Sequence, residues 1–93
     1  MTAHEQRQHG MCAALYVLAA RCERHIENGD ALSARFGESS PRAQFHRVAV
    51  KVLRDAAEAI RVEAMLPPEA VPEVLRKDYQ QPSEKMDANK GMK

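Results

Sequence analysis

His9-x-x-Cys12 and Cys22-x-x-His25 are mirror images about Val17. In an antiparallel pair of these segments, each His9/Cys12 pair would lie level with a Cys22/His25 pair of the other copy. That would make two Cys2His2 sets, a combination zinc accepts. Helix geometry argues against it. At about 100° per residue the centre of the first pair lies about 140° around the helix from the centre of the second. One contact face cannot present both. The expected roles are a small core residue for Cys22 and solvated helix positions for His9 and His25. His4-Glu5-x-x-x-His9 resembles the HExxH zinc-protease pattern but has one residue too many. Histidines at i and i+4 share a face, whereas at i and i+5 they point about 140° apart. No metal and no cofactor are expected.

Other catalytic arrangements find no support. Ser33, Ser39, Ser40 and Ser83 stand in cap or loop contexts without the glycine pattern of a nucleophile elbow. No two carboxylates share an evident cleft, and neither a P-loop nor a GxGxxG occurs. The expectation is a protein that is not an enzyme.

The best site candidate in the sequence is a basic row. Arg47, Lys51 and Arg54 fall at i, i+4 and i+7, Arg61 follows two turns on, and Arg42 and His46 lie near the start. Such a row can hold phosphates or an acidic protein surface. The Ser39-Ser40-Pro41-Arg42 stretch adds the free N–H groups and positive dipole end of a helix start. The competing reading is a solvated outer face, since Asp55 and Glu58 lie among these cations and can pair with Arg54, Lys51 and Arg61. A net charge of +1 argues against a general polyanion binder and against an acidic DNA mimic. The connector before the row is about eleven residues, where a helix-turn-helix uses three or four.

Which elements would position these residues? Ninety-three residues make one domain, small enough to be marginal alone. Thr2 and Glu5 match a capping box, and Asn28-Gly29 supplies a stop. Helix A is therefore expected over 3–28. Residues 30–40 read as a connector, with Asp30 capping a short turn that ends at Gly37, and with Leu32 and Phe36 plugging the end of the core. Ser40-Pro41 opens helix B, which runs to Leu66 before Pro67-Pro68. Pro72 starts a short last helix over 72–79. Residues 80–93 read as a flexible tail; the alternative is a docking segment that orders on a partner, with Met86 and Met92 its only apolar anchors. There are no internal repeats.

The stretch MCAALYVLAA, residues 11–20, is uncharged throughout. Met11, Leu15, Leu18, Cys22 and Ile26 fall within one sector of about 80° and form the main core stripe, while Ala13, Tyr16, Val17 and Ala20 lie roughly opposite. On helix B, Phe45, Ala49, Val52, Ala56 and Ile60 share one sector, with Val48, Leu53 and Ala59 as shoulders. Helix B then has one face to bury and helix A has two. The second face of helix A is expected to meet another copy. Two alternatives are cover from within the chain by Val71, Val74, Leu75 and Tyr79, or a foreign partner.

Ten apolar residues are too few to span a membrane. The stretch has the length of a signal-peptide core, and Ala19-Ala20-Arg21-Cys22 approaches a lipoprotein cleavage site. Arg21 directly before the cysteine and Glu5 in the leader argue against export. Cys12 and Cys22 lie ~15 Å apart on one helix, too far for an internal disulfide though not for one between two copies, and a reducing cytoplasmic setting fits them.

The expected fold is all-α. Two long antiparallel helices form a hairpin, a short C-terminal helix follows, and two copies assemble as a four-helix-type homodimer. The expected function is a small non-catalytic protein-interaction module, a regulator or inhibitor that binds a macromolecular partner. Its size, helical hairpin and lack of catalytic residues make it similar in kind to small regulators and inhibitors, including those of phages and other mobile elements. No motif is shared, so no residue carries over. The alternative is a binder of nucleotide or nucleic-acid phosphates through the basic face of helix 41–66.

Overall fold

The computed structural model describes residues 2–77. These form two long helices, α1 (Ala3–Phe36) and α2 (Pro41–Glu63), followed by two single 3₁₀ turns at Pro68–Ala70 and Glu73–Leu75. No strand occurs among the described residues. The all-α hairpin expected from the sequence is the fold.

Both helix starts are built as the sequence specifies. Thr2 Oγ1 accepts from the Glu5 N–H at 3.1 Å, and Glu5 Oε1 accepts from the Thr2 N–H at 3.0 Å. The two side chains satisfy two orphan donors reciprocally. Ser40 Oγ accepts from the Ala43 N–H at 3.4 Å, with Pro41 in the first turn.

The ends differ from expectation. The first helix does not stop at Asn28-Gly29 but continues to Phe36. The true stop is Gly37, whose φ of +92° is strained for any residue with a Cβ. Its N–H donates to the Ser33 carbonyl at 2.8 Å. Gly29 instead lies buried in mid-helix, where an added Cβ would come within 3.1 Å of Arg47 Nη1 and 3.2 Å of His46 Cβ. Its role is close approach of α1 to α2. That packing outweighs the ~1 kcal/mol that glycine costs inside a helix. Asp30, Leu32 and Phe36 consequently sit on α1, Phe36 exposed, and the connector shrinks to residues 37–40.

α2 ends at Glu63, three residues short of the expected Leu66. Met65, at φ +56°, turns the chain back so that Leu66 enters the core. Within residues 72–77 the expected helix gives way to the single 3₁₀ turn Glu73–Leu75, in a segment that Pro67, Pro68 and Pro72 punctuate. Tyr79 and the expected tail lie outside the described residues.

The core is a narrow seam of small residues. Leu15, Cys22 and Gly29 recur every seven positions on α1, and Ala43, Val50, Ala57 and Ala64 do so on and just past α2. This is the spacing of an antiparallel coiled-coil contact. Register is held along its length by Arg7 Nη2 to Glu63 Oε1 at 3.2 Å, Gln8 Nε2 to the Ala64 carbonyl at 3.1 Å, and His25 against His46. The returning segment then adds Leu66, Val71, Val74 and Leu75 to one buried cluster with Leu15, Ala19, Cys22, Val50 and Ala57. Both cysteines are free thiols. Burial pushes the Cys22 thiol up from its usual range, with Arg54 nearby pulling it down, and Cys22 Sγ lies 3.6 Å from the Val74 carbonyl it donates to. Among the described residues no helix is long and apolar enough to cross a membrane.

The expected inward face of helix B is rotated. Phe45, Val48 and Val52 are exposed by 64%, 58% and 59%, while Ala43, Val50 and Ala57 are buried. The apolar arc of α2 is wider than one interface, and the hairpin uses the edge of the arc that carries alanines. Small side chains let two helix axes approach closely, and bulk at 45, 48 and 52 would hold them apart.

Candidate interaction surface

The basic row does not form an open cationic face. Arg47, Arg54 and Arg61, spaced by seven, run along the flank of the α1–α2 seam on the side where the chain returns. Arg47 makes a two-pronged contact with Glu38, Nε to Oε1 at 2.8 Å and Nη2 to Oε2 at 3.2 Å, and its Nη1 reaches Asp30 Oδ1 at 2.8 Å. Arg54 Nε donates to the Val74 carbonyl at 3.0 Å. Arg61 grips Glu58 through Nη2 at 2.6 Å and Nε at 3.1 Å, and its Nη1 donates to the Leu66 carbonyl at 3.1 Å. One arginine closes the hairpin loop and two anchor the returning segment, assisted by Arg76 Nε on the Val71 carbonyl at 3.0 Å and Lys77 on Asp55 at 3.1 Å. Arg42 and Lys51 are exposed.

The loop ion pairs carry a titration signature. The Arg47 donors, and then the Ser33 hydroxyl, hold the Glu38 carboxyl down from 4.5 to about 2. The sign follows from linkage. A carboxyl depressed in the folded state adds stability that is present above its unfolded value and lost as pH falls through about 2. Glu38 is solvent-exposed, so screening keeps the gain small. An NMR titration of the Glu38 carboxyl should find it well below the ordinary glutamate range, and Arg47→Gln should return it most of the way. No response to Arg47→Gln would mean the pairing does not persist in solution.

The expected self-association face lies on the outer side of α1. Ala13, Tyr16, Val17 and Ala20 are all exposed, Tyr16 by 71% and Val17 by 56%. The returning segment leaves them exposed, and its Val71, Val74 and Leu75 join the buried cluster that holds Leu15, Ala19 and Cys22.

A longer apolar surface runs along α2, on its side away from the seam. Phe45, Val52 and Ala59 recur by seven, and Val48, Asp55 and Val62 recur by seven between them. All six are exposed. At 1.5 Å per residue the row spans ~26 Å. It repeats the heptad of the buried seam on the opposite side of the same helix, with one charge, Asp55, that Lys77 accompanies. Sequence reasoning found the arc but not its division into a used edge and an unused one.

His46, placed in the basic row by the sequence, faces α1. Its Nδ1 lies 2.9 Å from Nδ1 of His25, both side chains half-buried. The rings are 5.1 Å apart between centroids, and Phe45 stands edge-on to both at 6.2 and 5.2 Å. His25 is thus not a solvated residue. Counting outward from a turn at Gly37 would have brought residues 25 and 46 level to within about one helical turn. The early stop read at Gly29 hid this. Among the described residues, no three His, Cys, Asp or Glu gather as a metal set. No family model, no curated protein and no solved structure matches the chain.

Proposed function

We propose that this protein is a small non-catalytic interaction module, a regulator or inhibitor that works by covering a macromolecular surface. In this reading its first partner is a second copy of itself, in the cytoplasm, where Cys12 and Cys22 stay reduced. The observation that carries the reading is the exposed heptad row Phe45–Val48–Val52–Ala59–Val62 on α2. Fully burying one such valine or phenylalanine contributes ~1.5–3 kcal/mol. A rod of this length with knobs at a and d spacing suits a partner helix laid alongside it. A second α2, antiparallel about a two-fold axis near Val52, offers the same row in reverse and makes a four-helix assembly. The phosphate-binding reading is weakened by the internal commitments of Arg47, Arg54 and Arg61.

The test is the solution mass of Val48→Glu/Val52→Glu, with helicity followed by circular dichroism. The expected result is a folded monomer. A double variant that keeps the mass of the unchanged protein, while Tyr16→Arg lowers it, would move the contact to the outer face of α1 and overturn the α2 assignment.

A further inference from the structure

We propose that His25 and His46 form an acid-labile latch that joins α1 to α2 near the hairpin loop and opens when the pair takes up its second proton. The two rings come from different helices, twenty-one residues apart in sequence, and Nδ1 faces Nδ1 at 2.9 Å. That is the length of a direct N–H···N hydrogen bond, and such a bond fixes where the hydrogens sit. One ring carries its hydrogen on Nδ1 and donates. The other presents the Nδ1 lone pair and accepts. A first added proton goes to Nε2 of the donor ring and leaves the bond in place, now charge-assisted. A second takes the accepting lone pair. Both Nδ1 atoms then bear hydrogens aimed at each other, on two cations whose ring centres stand 5.1 Å apart, and the rings must part.

The surroundings do not offset that repulsion. Among the described residues neither ring is ion-paired with a carboxylate. The charged side chains one turn away on the same helix faces are both cations, Arg21 on α1 and Arg42 on α2. Arg47 follows His46, and it takes up the carboxylates of Asp30 on α1 and Glu38 in the loop. Both rings are half-buried and Phe45 stands edge-on to each, so screening by water is reduced. The unfolded chain accepts both protons, the latched hairpin only one. The folded state then binds fewer protons on the acid side, and stability falls as pH falls through the interval in which histidine titrates. The Glu38–Arg47 pair does not act in that interval, because the Glu38 carboxyl is held down to about 2.

The test is thermal melting at one protein concentration from about pH 7.5 to about pH 5, joined to NMR of the imidazole nitrogens. At the upper end one of the two rings should hold its hydrogen on Nδ1 and the other on Nε2. Over the interval the Tm of the unchanged protein should drop by at least ~5 °C. His25→Gln and His46→Gln, each checked for helicity, should each show less than about half of that drop. His9→Gln should show all of it. A flat Tm overturns the proposal, and so does a full drop in either latch variant or a drop that His9→Gln removes. Hydrogen on Nε2 alone in both rings at neutral pH overturns it as well. That NMR result needs no variant, so it decides even where a glutamine variant fails to fold.

Discussion

Leu15→Ala should unfold most of this protein's stability, lowering Tm by well over 10 °C. Leu15 is fully buried at the point where α1, α2 and the returning segment meet. Truncating a buried leucine removes its transfer free energy and leaves a cavity, together ~3–5 kcal/mol. A domain of this size has a total stability of ~5–10 kcal/mol, and each kcal/mol moves its Tm by ~4–8 °C. Leu15 shares its buried cluster with Ala19, Cys22, Val50 and Ala57 as well as Leu66 and Leu75, and in a close-packed interior such neighbours relax only partly into the hole. Glu27→Ala, at an exposed site on α1 outside both apolar faces, is the control and should stay within ~0.5 kcal/mol. Thermal melts of the two variants decide the matter. A loss below ~1 kcal/mol at Leu15 would mean the segment carrying Leu66, Val71 and Leu75 does not pack there.

The second large effect lies at Gly29. Gly29→Leu should cost ~2 kcal/mol, whereas Gly29→Ala should be nearly neutral. An alanine Cβ would meet Arg47 Nη1 at 3.1 Å and His46 Cβ at 3.2 Å. That contact is tight, but it is offset by the ~1 kcal/mol of helix propensity that alanine regains. The further carbons of leucine have no space, so the helices must part, at the ~1–3 kcal/mol of an overpacked core. Parting them also strains Arg47 between Asp30 and Glu38 and separates His25 from His46. Denaturant unfolding of the pair of variants checks this. A stabilised Gly29→Leu would show that residue 29 is a helical site with open space beside it and that α2 does not pack against it.

That position shows what the sequence makes legible. Local signals were read correctly where the chemistry is local. The Thr2/Glu5 box and the Ser40-Pro41 start act within a few residues of themselves, whereas α2 ends at Glu63, before Pro67-Pro68 is reached. Together with Leu15 and Cys22 they are enough for an all-α hairpin. Gly29 is different, because its role depends on what faces it from a helix that begins twelve residues later. The apolar arc of α2 fails for a related reason. Angular bookkeeping centres the core on the bulkiest residues, yet packing selected Ala43, Val50 and Ala57, where the two backbones come closest, and left Phe45, Val48 and Val52 outside. The basic row was visible as charge, but its partners, the carbonyls of Leu66 and Val74, follow only from the path of the returning chain. The His25–His46 pair needed the register, which the misplaced helix end concealed.

The exposed row on α2 remains the centre of the functional reading, and solution mass tests it most directly. Light scattering of the unchanged protein across a dilution series, with and without reductant, should give twice the chain mass, independent of reductant. A clean monomer at every concentration would contradict the self-association claim, and a dimer that reductant dissolves would place the contact at Cys12 rather than along Phe45, Val48 and Val52.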